Sequence, residues 1–259
     1  MDATRTGLRI ENDDVIAGLG RGLAVIECFD DDHARLTSAE VAERTMISRA
    51  AARRYLLSLC HFGYARTNGK VFWLAPRVLR LGQSYLLSAR LPRLAQPFLE
   101  QMFGATQATA GLGVLDGHDV IYLARCSGTT QAKAGVSLGA RLPAHVVSAG
   151  RAILTTFNDD ELDAWLAAHH FACFTACGEQ DRSRFRAGIV HMRALGYAIA
   201  DQQFELGWRG VAVPLRDRHG HCAGALSLTT PVERGSVDET IAAGLPHLRL
   251  AEAKLRALL

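Results

Sequence analysis

No aspartate or glutamate occurs between Arg44 and Leu99, and these 56 residues carry ten arginines and lysines. The whole chain has a formal net charge of only +3, so the rest of the chain is net negative. Ten like charges cannot be buried together in one small core, so they must lie in solvent or face a polyanion. The charge pattern predicts a DNA-binding surface, with an ordinary solvated basic surface as the alternative.

A pair of short helices is predicted where this basic window begins. Thr37 and Glu40 have the spacing of a capping box, and Ser48 is suited to cap a second helix that ends at Phe62. A short turn at Met46 and Ile47 separates the two helices. Helical spacing places one set of side chains of the second helix inward, namely Ala52, Tyr55, Leu56 and Leu59. It places another set outward, namely Ala50, Arg53, Arg54, Ser58 and His61.

A β-hairpin is predicted directly after the second helix. Asn68-Gly69 separates two short apolar runs, which is a strong hairpin signal. A helix pair followed by a hairpin is typical of a winged helix-turn-helix, whose second helix enters the major groove of DNA. The predicted DNA contacts are Thr37, Ser38, Ser48, Arg49, Ala50, Arg53, Arg54 and Lys70.

The rest of the chain is predicted to form a flexible tail, a linker and a larger α+β domain. The predicted regions are a tail at 1–14, the DNA-binding domain at 15–75, a linker helix at 76–91 and an antiparallel-sheet domain at 92–259. Helices and strands alternate there without a βαβ order, which favours α+β over a doubly wound sheet. Leu94 to Leu259 is nearly neutral, which indicates a sensor domain rather than a second DNA-binding domain.

The predicted elements outside the helix-turn-helix follow from apolar periodicity and turn residues. The helices are 18–29, 76–89, 92–106, 148–157, 159–168, 182–195 and 238–258. The strands are 108–115, 120–126, 132–138, 197–203, 210–215 and 222–229.

Several segments resemble the IclR family of bacterial transcriptional regulators, in particular its branch for protocatechuate and 4-hydroxybenzoate breakdown in the β-ketoadipate pathway. The strings are GLGRGLAVIECF, LTSAEVAERTMISRAAARRYLLSLCHFGYARTNGKVFWLAPRVLRLGQSYL, LPRLAQPFLEQM, VLDGHDVIYLARC, VSLGARLPAHVVSAGRAIL and ELGWRGVAVPLRDRHGHCAGALSLTT. The resemblance covers residues 18 to 258. It implies a winged helix-turn-helix, a linker helix, a GAF-like effector-binding domain, and assembly into dimers or tetramers.

The resemblance also places an effector pocket against the sheet. The implied contacts are Gly111, Leu112, Gly113, Ser148, Gly150, Arg151, Trp208, Gly210, Ser227 and Thr229. An acidic effector favours a guanidinium partner, for which the candidates are Arg125, Arg141, Arg151 and Arg209. The segment PAHVVSAG departs from the PAYATSMG expected of the aromatic-acid branch, and this leaves a non-aromatic effector open.

Other kinds of site are not predicted. The donors His169, His170, Cys173 and Cys177 match no common zinc spacing, so we expect neither a metal nor another cofactor. The sequence has no signal-peptide pattern and no membrane span, which favours the bacterial cytoplasm. Two alternatives remain: a hydrolase-like enzyme that uses Ser148 with a histidine, and an architectural DNA binder without sequence preference.

Overall fold

The computed structural model describes residues 11, 14–30, 32–128 and 138–259. The backbone divides into two compact units, Met1–Leu87 and Ser88–Leu259. The domain bounds expected from the sequence therefore remain predictions, because the division at Leu87 falls inside the predicted linker.

Three helices begin the first unit: α1 (Ala17–Glu27), α2 (Ser38–Thr45) and α3 (Arg49–His61). The capping box predicted for α2 is confirmed, because the Thr37 hydroxyl accepts from the Glu40 amide and the Glu40 carboxylate accepts from the Thr37 amide. Met46 then takes a left-handed conformation with φ of 54°, which reverses the chain between α2 and α3.

The predicted hairpin is also confirmed, as β1 (Ala65–Thr67) paired antiparallel with β2 (Phe72–Leu74). The turn spans four residues, and the Asn68 side chain accepts from the amides of Lys70 and Val71. Leu36 adds an isolated bridge to Phe72. This bridge ties the hairpin to the start of α2.

The core of the first unit follows the predicted inward face of α3. Ala52 and Leu56 are fully buried, and Val25, Val41 and Phe72 pack around them. The predicted helix 76–89 begins instead as a 3-10 turn at Pro76–Val78 and continues as α4 (Leu79–Ser88).

One antiparallel sheet organises the second unit, as the sequence predicted. Its strands are β3 (Thr109–Asp116), β4 (Asp119–Cys126), β5 (Arg141–Pro143), β6 (Ala198–Asp201), β7 (Trp208–Arg216) and β8 (Cys222–Pro231). Their order in the sheet is β5-β4-β3-β8-β7-β6. The helices are α5 (Arg90–Thr106), α6 (Ser148–Leu154), α7 (Asp159–Ala168), α8 (Arg182–Leu195) and α9 (Val237–Arg256).

Helices cover both faces of this sheet because alternate strand residues point to opposite sides. On β7, Val211 and Val213 join a core with α5 and α9. Ala212, between them, joins the other core with α6, α7 and α8. Charged helix surfaces therefore enclose two apolar layers, and the face that carries α6 also carries the cavity described below.

Some expected elements differ from the structure. The predicted helix 148–157 ends at Leu154, because the Arg193 side chain of α8 binds the carbonyls of Thr155 and Phe157. The short strand β5 was not predicted, since its three residues are ordered by pairing with β4. The predicted strand 132–138 lies outside the described residues except for Leu138. No described helix is both long and apolar enough to cross a membrane.

Candidate DNA-binding surface and effector pocket

The outer face of α3 is exposed and basic. Arg49, Ala50, Arg53 and Arg54 are all exposed, and the Ser48 hydroxyl caps the helix by accepting from the Ala51 amide. Among the described residues, none of these three arginines forms an ion pair, whereas Arg44 is paired with Asp30 at 2.6 Å. The first turns of α3 therefore present free cationic donors to solvent.

Other predicted DNA contacts lie around α3. Lys70 is exposed in the hairpin turn. Thr37 and Ser38 are half-buried at the start of α2, and the Thr37 hydroxyl is engaged in the capping box. This geometry, with an exposed basic helix beside a β-hairpin, is the one by which winged helix-turn-helix domains contact the major groove and the phosphates.

A cavity lies against the sheet of the second unit, with about 450 Å³ of empty space including its open mouth. Its walls come from the sheet, from the residues before α6, and from the loop between β6 and β7. The lining residues are Tyr122, Leu142, Val146, Val147, Ser148, Ala200, Gln203, Phe204, Glu205, Trp208, Arg209, Gly210 and Thr229. This mixture of apolar walls and a few polar groups is typical of small-molecule sites.

Two hydroxyls supply polar groups inside the cavity. Ser148 is 4% exposed, and its hydroxyl has no hydrogen-bond partner in the described part of the chain, so it is available to a ligand. Tyr122 hydrogen-bonds Ser227, and burial raises the pKa of Tyr122 to about 12. The phenol is therefore neutral at physiological pH and remains a hydrogen-bond donor.

Close packing shapes the floor of the cavity. A Cβ on Gly210 would lie 2.6 Å from the Ser148 hydroxyl oxygen, so glycine leaves room for that hydroxyl. A Cβ on Gly150 would lie 2.2 Å from the carbonyl oxygen of Ala144. Gly150 thus allows α6 to pack against the preceding loop and does not itself line the cavity.

Arg151 is buried one turn beyond Ser148. Its guanidinium donates to the carbonyls of His145 (2.7 Å) and Ile199 (3.2 Å) and to the Gln203 side-chain oxygen (2.6 Å). It forms no ion pair with any described residue. Burial lowers the pKa of Arg151 to about 10, so the group stays charged at neutral pH among neutral acceptors.

The remaining candidate cations differ in their partners. Arg209 lines the cavity but binds Asp201 through two nitrogens, at 2.8 and 3.3 Å, and also donates to the Gly235 carbonyl. Arg141 is exposed and paired with Asp116 and Asp119. Arg125 lies on β4 outside the cavity, and burial lowers its pKa.

The structure brings only some of the predicted effector contacts to the cavity. Ser148, Trp208, Gly210 and Thr229 line it. The residues outside its lining are Gly111, Leu112, Gly113, Gly150, Arg151 and Ser227. Leu112 packs in the core of α5 and α9, on the opposite face of the sheet.

Sequence reasoning missed several lining residues, namely Tyr122, Leu142, Val146, Ala200, Gln203, Phe204 and Glu205. The alternation of β4, which places Val120 and Tyr122 on one face, is a signal that could have found Tyr122. Residues 203–205 belong to an irregular loop, and no local pattern in the sequence predicts where such a loop folds.

A cluster of buried histidines lies near the cavity on the same side of the sheet. The nitrogens His145 Nδ1 and His169 Nε2 are 2.9 Å apart, and His145 Nε2 is 3.0 Å from the Ala172 carbonyl. Burial lowers the pKa of His169 to about 3, so this ring is neutral. No group of three or more described His, Cys, Asp or Glu residues is arranged to hold a metal ion.

Two family models match the chain. The IclR helix-turn-helix domain matches residues 18–69, and the C-terminal domain of the bacterial transcriptional regulator IclR matches residues 83–255. The helix pair with exposed arginines lies in the first match and the cavity lies in the second.

Individual relatives agree with these matches. A p-hydroxybenzoate hydroxylase transcriptional activator of Acinetobacter baylyi is 37% identical, over 96% of this chain and 94% of its own length. A Pca regulon regulatory protein of Pseudomonas putida is 37% identical, over 93% and 84%.

A solved structure is similar to the second unit. It is a double mutant of the inducer-binding domain of the PobR transcription factor from Acinetobacter, in complex with 3-hydroxybenzoic acid. It is 30% identical with a TM-score of 0.62, and the match covers 66% of this chain and 100% of that one. From its helix-turn-helix, its sheet domain and these matches over nearly its whole length, the chain belongs to the IclR family of bacterial transcriptional regulators.

Proposed function

We propose that this regulator binds promoter DNA through α3 and the β1–β2 hairpin and responds to a small aromatic carboxylate bound in the cavity. The observation that carries the proposal is the combination of unpaired arginines on an exposed helix in one unit with a partly apolar cavity in the other. The predicted DNA contacts and effector contacts are retained here as proposals.

The lining of the cavity supports an aromatic acid as the effector. Trp208 and Phe204 offer flat apolar surface to a ring, and the Ser148 and Thr229 hydroxyls offer donors to a carboxylate. The buried charge of Arg151, close behind the wall, adds a positive potential that favours an anion. The relatives named for p-hydroxybenzoate hydroxylase control and for 3-hydroxybenzoic acid binding point to the same class.

We further propose that the protein works as a dimer or tetramer. At the start of α1, Ile16 and Leu19 are 75% and 63% exposed, and on α4, Leu79 and Leu87 are 75% and 69% exposed. Such large exposed apolar side chains favour contact with a second copy. A dimer would set two α3 helices about one turn of DNA apart, or a multiple of that distance.

Effector binding then controls DNA binding by favouring one arrangement of the dimer. The ligand can shift this equilibrium only by its difference in affinity for the two arrangements. The DNA partner places the regulator in the bacterial cytoplasm, where the promoter lies.

A fluorescence-anisotropy titration onto DNA from upstream of its own gene tests this function. It is run with and without protocatechuate, 4-hydroxybenzoate and β-ketoadipate, at several salt concentrations. The expected result is specific, salt-sensitive binding that changes with one aromatic acid. Equal affinity for random DNA would contradict the regulator with sequence preference, and a response to β-ketoadipate alone would contradict the aromatic effector.

The geometry does not support the hydrolase alternative. Both ring nitrogens of His145, the histidine nearest in sequence to Ser148, are engaged by Ala172 and His169. The hydrolase alternative needs a histidine within hydrogen-bond reach of Ser148 as its base. An ester-turnover assay comparing the protein with Ser148→Ala checks this, and we expect no turnover that depends on the hydroxyl.

A further inference from the structure

Gln203 lies in the wall of the cavity, and its side-chain amide forms three hydrogen bonds. Its side-chain oxygen accepts from Arg151 Nη2 at 2.6 Å and from the Glu179 amide at 3.2 Å. Its side-chain nitrogen donates to the Cys177 carbonyl at 2.6 Å. One carboxamide therefore contacts the cavity, a buried cation, and the irregular segment between α7 and α8, residues 169–181, which we call the α7–α8 segment.

Two further contacts of the α7–α8 segment end on the same loop, whereas His169 and the Ala172 carbonyl at its start contact His145. The Thr175 hydroxyl donates to the Gln202 carbonyl at 2.5 Å, and the rings of Phe174 and Phe204 are 5.3 Å apart. Since Gln203 and Phe204 line the cavity, a ligand that moves this loop also acts on the segment.

Arg151 has a weaker set of partners than its charge can use. Its three acceptors are neutral, and the Glu179 carboxylate acts on it only at longer range. A carboxylate adds a negative charge and two acceptor oxygens that match the guanidinium, which a neutral amide oxygen does not provide. A carboxylate that enters beside Ser148 is therefore a stronger partner for Arg151 Nη2 than the Gln203 amide.

We propose that Gln203 is a positioning residue that the effector carboxylate displaces from Arg151, which releases the part of the α7–α8 segment around Cys177 and Glu179 from Gln203. This inference rests on the proposed function, because it requires an acidic effector. It predicts that cavity occupancy is reported first at the Glu179 amide, which loses its acceptor when Gln203 moves.

Hydrogen exchange measured by mass spectrometry on the full chain tests the ligand step. The probe is 4-hydroxybenzoate at saturation, with protocatechuate and benzoate as second probes. We expect exchange at the Glu179 amide to become about tenfold faster when a probe binds. Binding with unchanged or slower exchange at Glu179 overturns this inference alone, whereas failure of all three probes to bind overturns the effector proposal and the ligand step together.

Two variants of Gln203 separate displacement from a merely structural role. Gln203→Leu removes the tether, so exchange at Glu179 should be fast without ligand, and probe affinity should rise because the effector no longer has to displace the amide from Arg151. Gln203→Glu keeps the shape but pairs a carboxylate with Arg151, so probe affinity should fall about tenfold. Equal changes of affinity in the two variants would overturn the inference.

Gln96→Leu is the matched control on α5, where the glutamine side chain donates to Glu100 and to no other described residue. This variant should change neither exchange at Glu179 nor probe affinity. A thermal melt of each variant confirms that it is folded before exchange is compared.

Discussion

The arginines of α3 and those near the cavity lie in opposite environments. Arg53 and Arg54 are exposed and form no ion pair with any described residue. Arg151 and Arg209 are 8% and 7% exposed, and their guanidinium nitrogens are engaged by protein oxygens. The same type of side chain is therefore left open to solvent in the first unit and is used for internal hydrogen bonds in the second.

This difference determines what each arginine contributes. An exposed guanidinium costs the fold little and keeps its charge for a phosphate or a guanine. A buried one requires a complete set of acceptors, because desolvation of an uncompensated charge is costly. Substitutions of the α3 arginines should consequently lower DNA affinity and leave the stability of the fold unchanged. Substitution of Arg151 should lower the stability of the fold more than it lowers ligand affinity.

The largest effect is expected from Arg151→Met. The substitution removes hydrogen bonds from a charged donor, each worth about 1.5–3 kcal/mol, and leaves the carbonyls of His145 and Ile199 buried without it. We expect the free energy of unfolding in urea to fall by about 3 kcal/mol. Arg141→Met, at an exposed pair, should cost about 1 kcal/mol or less. Equal losses of unfolding free energy in the two variants would show that the buried and the exposed arginine contribute equally to stability.

The next effect is expected on DNA affinity from Arg53→Ala and Arg54→Ala, measured separately. If the substituted arginine contacts a base, its loss should weaken binding to the specific DNA site by about 1–3 kcal/mol. The free energy of unfolding of each variant should stay within about 0.5 kcal/mol of that of the parent protein. Anisotropy on specific and random DNA makes the measurement, and a similar loss on both would identify a phosphate contact instead.

A smaller effect is expected from Gly210→Ala on effector affinity. The new Cβ would lie 2.6 Å from the Ser148 oxygen and displace that hydroxyl into the cavity. We expect about tenfold weaker effector binding by calorimetry, with DNA affinity unchanged. Gly188→Ala on α8 is the matched control, because a Cβ there meets nothing within 4 Å. If Gly210→Ala leaves effector affinity unchanged, the effector does not bind next to Ser148.

The smallest effect is the change in the free energy of unfolding per pH unit that the buried His169 causes. An unfolded histidine binds a proton below about pH 6.5, whereas the folded pKa of His169 is about 3. Between these values the unfolded chain binds more protons, so stability falls as pH falls from 6.5 toward 3. The slope is at most about 1.4 kcal/mol per pH unit for one histidine.

Urea unfolding at pH 7.5, 6 and 5 measures this slope. His169→Gln should make the slope smaller, and the buried His145, whose pKa is also lowered by burial, accounts for part of what remains. A His169→Gln protein with the parent slope would show that another buried group titrates.

The elements with strong local signals were predicted well. The bounds of α7 and α8 agree with the prediction, and so does the start of α3, because caps and 3.6-residue periodicity are properties of neighbouring residues. The exposed arginines of α3 were predicted for the same reason, since the outer face of an amphipathic helix follows from its inner face. The antiparallel arrangement followed from the turn residues between short apolar runs.

The cavity could be predicted only in part. Ser148, Trp208, Gly210 and Thr229 line it, but the resemblance also pointed to Leu112, which β3 directs to the other face. No sequence pattern predicted that Gln203 lines the cavity, because its position depends on contacts with Arg151 and Glu179, which are distant in the chain.

The sequence by itself determined the helix-turn-helix, the hairpin, the basic outer face of α3 and the α+β character of the second unit. These features depend on local hydrogen bonding, on periodic burial and on charge that cannot be buried. Only the tertiary structure decided which arginines are buried and hydrogen-bonded within the protein and which residues enclose the cavity. Such choices depend on contacts between residues far apart in sequence, where burial and partner geometry set the energy of each polar group.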